Sequence, residues 1–182
     1  MKFKRTKMNA IASGVALGLA AMSAQAADQP TLTTAGSESS AIFSGGATIN
    51  GGASFLSAVP ADSAVDLLVT IKPAAADVGK VGNLIVILNV PGLGFFIQNS
   101  SGSFVPWTQA DPIVAASTKT LAASEPLSLF TGLVGSAIGA MGYEVQAYVG
   151  YYTDTIANLT YSSTLASFSI AATAPSTCPT NT

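Results

Sequence analysis

The 182-residue chain has no histidine. That absence removes Ser-His-Asp and Cys-His nucleophilic mechanisms. It also removes the usual zinc and copper sites and leaves only thiolate, carboxylate and carbonyl ligands for a metal. Cysteine is almost absent. Cys178 is the single copy, so no internal disulfide can staple the fold, and core packing must hold it. Its surroundings, Ala174-Pro175-Ser176-Thr177-Cys178-Pro179, supply no base to activate a thiol. It reads as a free thiol on a frayed end, with an intermolecular disulfide or attachment point as the sharper alternative. Charge is scarce as well: seven basic and nine acidic residues make up 9% of the chain.

The few basic residues are unevenly placed. Lys2, Lys4, Arg5 and Lys7 head the chain, an apolar stretch of Ala, Val, Leu and Gly follows from Ile11 to Met22, and Ala24-Gln25-Ala26 then offers small residues. Basic head, apolar middle and small-residue end make a secretory signal, cleaved near Ala26. The apolar run is shorter than the ~20 residues that span a bilayer, and no cysteine follows the cut site for lipid attachment. The expectation is a secreted, cell-surface or periplasmic protein with no membrane span after cleavage. Cleavage leaves Lys72, Lys80 and Lys119 against all nine acids, 3 − 9 = −6. Nucleic-acid binding needs Lys and Arg against phosphate, and anionic membrane surfaces need polybasic patches. Neither fits this charge balance.

What is abundant is short β pattern. Val65, Leu67, Val69 and Ile71 alternate with Asp66, Leu68, Thr70 and Lys72. Tyr143, Val145, Ala147 and Val149 alternate with Glu144, Gln146 and Tyr148, and Phe168 and Ile170 with Ser167 and Ser169. Period two puts each set on one face of a pleated strand. Leu84 to Val90 is nearly all apolar and reads as a central strand covered on both faces. The turn Pro91-Gly92-Leu93-Gly94 follows it, with Phe95, Phe96 and Ile97 as hairpin partner. Ser100-Ser101-Gly102 leads into Phe104, Val105 and Trp107; Leu127 and Leu129 mark another strand, and Ile156 to Tyr161 one more. Ile42 to Ile49, with Gly45-Gly46 inside, reads as an early strand with a bulge. Asn50-Gly51-Gly52 is the strongest hairpin turn. Ala74 to Ala76 and the glycine-interrupted Leu133 to Met141 read as loops, because each Gly costs a helix about 1 kcal/mol against Ala.

Eight or nine such strands predict an all-β, antiparallel, immunoglobulin-like β-sandwich over residues 41–172, with a closed β-barrel as runner-up. Residues 27–40 and 173–182, rich in Thr, Ser, Gly or Pro, read as a flexible leading segment and a flexible tail. Sheet edges are usually guarded by Lys or Pro. Only Lys72-Pro73 and Lys119 look suited to that task, which leaves either an edge open to a partner molecule or an edge covered by the leading segment.

Phe43-Ser44-Gly45-Gly46-Ala47, Asn50-Gly51-Gly52, Asp66 to Ile71 and Asp77-Val78-Gly79-Lys80 ahead of the Leu84–Leu88 strand form an ordered set. Gly102-Ser103-Phe104-Val105-Pro106-Trp107 and Val149-Gly150-Tyr151 extend it. Across Ile42 to Ile170 the chain resembles an uncharacterised β domain of secreted and cell-surface proteins of proteobacteria, sometimes embedded in longer adhesin-like chains. The resemblance implies a bacterial envelope or extracellular setting and nothing catalytic. Here the domain is expected to stand alone behind its own signal, unlike the embedded copies.

The remaining chemistry is thin. No Gly-x-Ser-x-Gly elbow occurs, and Ser-Lys catalysis would need Lys72, Lys80 or Lys119 buried beside a serine, whereas each sits near an expected strand end or turn. Glycosidases need two carboxylates. Of Asp62, Asp66, Asp77, Asp111, Glu125, Glu144 and Asp154, no two are spaced to suggest a pair, and the turn aspartates read as backbone caps. Tyr152-Thr153-Asp154-Thr155 with Asn158 could offer oxygens to calcium, although a hydrogen-bonded turn is the simpler use. Gly45-Gly46 and Gly51-Gly52 lack the strand–loop–helix setting of a phosphate cradle. Asn158-Leu159-Thr160 matches a glycosylation acceptor, which a bacterial host would generally ignore. No cofactor and no metal site is expected, and the chain does not read as an enzyme.

Aromatics give the functional hint. Trp107 follows Pro106, and Tyr148, Tyr151 and Tyr152 cluster about Gly150. By alternation Tyr148 points outward and Tyr151 inward. Trp107, Tyr148 and Tyr152 are therefore the candidates for stacking on a glycan, with core packing as the competing use for Trp107, Phe104 and Tyr143. The leading expectation is a non-catalytic structural or adhesive module, partnered by itself through a β edge or by extracellular glycans. A carbohydrate-binding module is the alternative, and an unrecognised hydrolase ranks last.

Overall fold

The computed structural model describes residues 29–32, 34–36, 39–163 and 166–172. The expected signal over residues 1–26, the 173–182 tail and Cys178 lie outside the described residues.

Thirteen strands are formed among the described residues: β1 Thr31–Leu32, β2 Thr34–Gly36, β3 Ile42–Thr48, β4 Ala58–Val59, β5 Ala64–Lys72, β6 Val81–Val90, β7 Gly94–Gln98, β8 Phe104–Trp107, β9 Ser117–Thr120, β10 Glu125–Val134, β11 Glu144–Tyr152, β12 Thr160–Ser162 and β13 Ala166–Ile170. The excess over eight or nine is β1, β2, β4 and β12, pieces of two or three residues. A four-stranded sheet runs β1-β3-β5-β10, and a nine-stranded sheet runs β2-β12-β11-β6-β7-β8, with β13 and β9 added to β11 and β6 and with β4 on β13. Pairing is antiparallel except between β4 and β13. The two sheets face each other as a β-sandwich and do not close into a barrel.

The period-two pattern explains the core. Val65, Leu67, Val69 and Ile71 of β5 and Phe43 of β3 are buried against Leu84 and Val86 of β6, Val145, Ala147, Val149 and Tyr151 of β11, and Phe168 and Ile170 of β13. Each fully buried aliphatic or aromatic side chain contributes roughly 1.5–3 kcal/mol, which is how a chain without disulfides coheres. Leu84–Val90 is covered on its inner face at Leu84, Val86 and Leu88, whereas on the outer face Ile85 is 3% exposed but Ile87 is only half-buried.

Several expectations need correction. Part of the leading segment supposed flexible is strand: Thr31–Leu32 pairs with β3 and Thr34–Gly36 with β12. β-branched threonines suit a pleated strand, and the pairing covers two edges that would otherwise lie open. Gly45-Gly46 marks no bulge, because β3 pairs with β5 without a shift from Ile42↔Lys72 to Thr48↔Asp66. A Cβ at Gly45 would stand 2.8 Å from Val69 Cγ2, and one at Gly46 2.9 Å from Phe55 Cδ1; these glycines permit close packing. Ile156 to Tyr161 is not one strand. Ile156–Asn158 is a 3-10 turn, closed by the N–H groups of Asn158 and Leu159 donating to the carbonyls of Thr155 and Ile156, and β12 begins only at Thr160. Leu133 and Val134 finish β10, and Ser136–Ile138 is a single 3-10 turn.

The edges are guarded differently from the sequence expectation. Lys72 ends β5, an interior strand between β3 and β10, and Lys119 of β9 is engaged with Glu125. The long edge strand is β10. It carries Pro126, which has no N–H to offer a further strand, and its register against β5 shifts twice, around Leu129 and around Thr131-Gly132. At the second shift the Gly132 N–H donates to Asp66 Oδ1 at 2.8 Å. Such bulges twist an edge away from further pairing.

Candidate functional site

The outer face of the larger sheet is built by three long-range pairings. β11 lies beside β6, so Tyr148 stands opposite Ile87 and Gly150 opposite Ile85. β7 and β8 continue the sheet on the other side of β6, with Phe95 opposite Trp107. β12 sits on the far side of β11, with Tyr161 opposite Gly150. Tyr148, Ile87, Ile85, Phe95, Trp107 and Tyr161 therefore project from one face.

They enclose a hollow of about 340 Å³, floored by Ile85, Ile87 and Gly150, with Phe95, Trp107 and Gln109 on one side and Tyr148, Leu159 and Tyr161 on the other. The glycine is required. A Cβ at position 150 would lie 2.8 Å from the Thr160 carbonyl oxygen and 2.9 Å from Tyr161 Cβ, so a side chain there would drive β12 off. Trp107 is held edge-on against Phe95, with ring centres 6.3 Å apart and planes at 86°. Its Nε1–H donates to the Pro112 carbonyl at 3.3 Å. The ring is thus fixed to both the sheet and the 108–116 connection, which is itself fastened to β6 where the Ala116 N–H donates to the Leu84 carbonyl.

Beyond Trp107 lies a second, wider hollow of about 620 Å³ between two connections. Gln109, Asp111, Pro112 and Ile113 line one side, and Tyr152, Asp154 and Ile156 the other. Trp107 and Gln109 border both hollows, so the two adjoin at the indole. Of the three aromatics expected from the sequence, Trp107 shares the first hollow with Tyr148 and the second with Tyr152, and Tyr148 and Tyr152 share neither. Phe95, Tyr161 and Gln109 were not foreseen. Of the other two aromatics weighed as core, Phe104 is half-buried and packs on the core, and Tyr143 lies just ahead of β11 and is half-buried.

Two carboxylates line the second hollow, a meeting that sequence spacing did not suggest. Asp111 Oδ2 accepts the Thr108 hydroxyl at 2.8 Å and the Thr108 N–H at 2.9 Å. Asp154 accepts the Asn158 amide at 2.8 and 3.0 Å and the Thr155 N–H at 2.6 Å. These bonds hold both carboxyls below the ordinary carboxylate value, the Thr108 hydroxyl acting most on Asp111 and the Asn158 amide most on Asp154. A glycosidase acid needs the opposite shift, a carboxyl kept protonated near neutrality. The Asp154 turn weighed for calcium is closed by its own Asn158 and Thr155. Among the described residues no three of His, Cys, Asp and Glu come together.

Other acids serve the scaffold. Asp77 accepts from Lys80 and Tyr151, Asp66 from the Gly132 N–H, and Glu144 from Gln146. A separate hollow of about 400 Å³ opens between the sheets, lined by Leu88, Phe96, Phe104, Phe130 and neighbours, with Tyr143 its one side chain bearing a polar group. Among the described residues no helix is long and apolar enough to cross a membrane. Comparison with protein families, with curated proteins and with solved structures returns no match for this chain.

Proposed function

We propose that the protein is a non-catalytic adhesive module of a bacterial envelope or extracellular matrix, and that it holds carbohydrate on the outer face of its larger sheet. One observation carries the reading: Trp107 lines two adjoining hollows, one shared with Tyr148 over an aliphatic floor and one shared with Tyr152 beside amide and carboxylate groups. A sugar ring has the matching chemistry. Its C–H faces pack on aromatic rings and its hydroxyls bond to polar groups at the rim; few but well-placed polar groups in an otherwise apolar hollow are the usual form of a small-ligand site. The amino-terminal signal pattern and the resemblance to secreted and surface β domains support the setting. The ionised state of Asp111 and Asp154 supports binding over hydrolysis.

Self-assembly through an open edge is the weaker form of the adhesive reading. β1 and β2 pair within their own chain, and Pro126 and two bulges interrupt β10.

Trp107 is the only tryptophan, so its fluorescence reports the cleft directly. Titration with oligosaccharides from a glycan array should shift or quench that emission. Tyr148→Ala and Tyr152→Ala should each weaken binding about tenfold, the worth of one aromatic stack. An array without binding above background, or affinities indifferent to both substitutions, would sink the proposal.

A further inference from the structure

We infer that the glycan held by this cleft is an amino sugar chain carrying protonated primary amines, with its ammonium groups seated between Asp111 and Asp154. The inference rests on the carbohydrate reading and adds the charge of the ligand to it.

The argument begins with charge placement. Asp111 and Asp154 come from different connections and line the same hollow as Trp107 and Tyr152. No basic side chain lines either hollow. Of the three described lysines, Lys119 is engaged with Glu125 and Lys72 closes β5 in the smaller sheet. Lys80 exerts some pull on Asp154 but is bound to Asp77 at 2.9 Å. The cleft therefore ends in negative charge that nothing lining it neutralises. An anionic polysaccharide would meet repulsion there, whereas a cationic one meets complementary charge.

The aromatic groups point the same way. A ligand cation beside Trp or Tyr faces is drawn by the ring quadrupole, by about 0.5–1 kcal/mol at an exposed site. Trp107 and Tyr152 line the same hollow as the two carboxylates, so an ammonium group there meets two kinds of attraction at once. Each carboxylate is also fixed by bonds from its own turn, to Thr108 or to Asn158 and Thr155, so the negative charge need not be gathered when a ligand arrives. A neutral hydroxyl gains neither term. Because the two hollows meet at Trp107, a chain of several rings can place neutral faces over Ile85 and Ile87 while an amine lies at the acidic end.

The experiment compares glucosamine oligomers, their N-acetylated counterparts and an oligogalacturonate of equal length, by Trp107 fluorescence and calorimetry at about pH 6, where the amines are charged. Glucosamine oligomers should bind about fivefold or more tighter than the acetylated chain at low salt, the sum of weak exposed charge pairs. That preference should vanish in about 1 M salt, where screening reaches only ~3 Å. Asp111→Asn together with Asp154→Asn keeps an acceptor at each turn and should bring the ratio of the two affinities to one. Equal binding of charged and acetylated chains, or tighter binding of the galacturonate, overturns this inference and leaves the carbohydrate reading standing. Failure of all three glycans to bind also overturns this inference, while an array without binding above background overturns the carbohydrate reading as well.

Discussion

Lys119 of β9, in the larger sheet, reaches across to the carboxylate of Glu125 at the start of β10, in the smaller one. Glu125 is 2% exposed, and its other oxygen accepts the Ala122 N–H at 2.6 Å. An ion pair therefore closes one side of a sandwich held otherwise by apolar packing. Removing the lysine by Lys119→Met leaves a buried carboxylate without its counter-charge. The expected loss is about 2 kcal/mol, below the range for a wholly buried pair because the lysine end is open to water. Glu125→Gln retains an acceptor for Ala122 and should cost less. Urea melts of both variants and the double variant give the coupling; a double variant losing the sum of the two single losses would show that the pair is not coupled.

Tyr151 bears on stability at high pH. Its ring is buried in the core while its hydroxyl accepts the Ala74 N–H and donates to Asp77 Oδ2, both at 3.0 Å. Burial holds the phenol above its ordinary value. The folded chain thus keeps this proton where the unfolded chain has released it. Stability is full below about pH 10 and declines as pH climbs through the raised folded value. Tyr151→Phe should lose about 1.5 kcal/mol at neutral pH and should also lack that part of the alkaline decline. Melting temperatures at several pH values for both proteins test this, and parallel curves would refute it.

Gly150 couples scaffold to cleft. Gly150→Ala sets a methyl against the Thr160 carbonyl and Tyr161 Cβ, which must shift backbone and not merely a flexible side-chain tip. About 2 kcal/mol of destabilisation is expected, with Tyr161 displaced from the rim and oligosaccharide binding weakened. Calorimetry after thermal unfolding has set a temperature at which the variant is folded separates the two effects.

Pro126 is expected to keep the chain monomeric. Pro126→Thr restores an N–H to the longest edge strand and should raise self-association at high concentration. Sedimentation velocity on the two proteins side by side is the check; identical distributions would assign the guarding to the bulges at Leu129 and Thr131-Gly132 alone.

The strands of this fold were largely legible because alternation is a local signal. Val65 to Ile71, Val145 to Val149 and Phe168 with Ile170 are all buried on one side, as their spacing requires. The cleft was legible only in part. Trp107 stood out beside Pro106, and Tyr148 and Tyr152 as aromatics about Gly150, but Phe95 and Tyr161 did not. The physical reason is that period two groups residues by face without saying which face is inward. Where both faces are apolar, as in Leu84–Val90 and Phe95–Ile97, inner and outer sets look alike. The meeting of Asp111 with Asp154 was illegible for a different reason: the two lie on connections brought together only by the β6–β11 and β7–β8 pairings. The strands at Thr31–Leu32 and Thr34–Gly36 were missed because two or three residues are too few to show a period.

The second of those small strands also orders events in time. Thr34–Gly36 is paired with Thr160–Ser162, so a segment near the beginning of the chain waits for one close to its end. A ribosome-bound fragment lacking the last quarter of the sequence cannot make this clasp, and loop closure over such a span is slow compared with local hairpins. The pairing of Thr34–Gly36 therefore forms only once residues 160–162 are free to meet it.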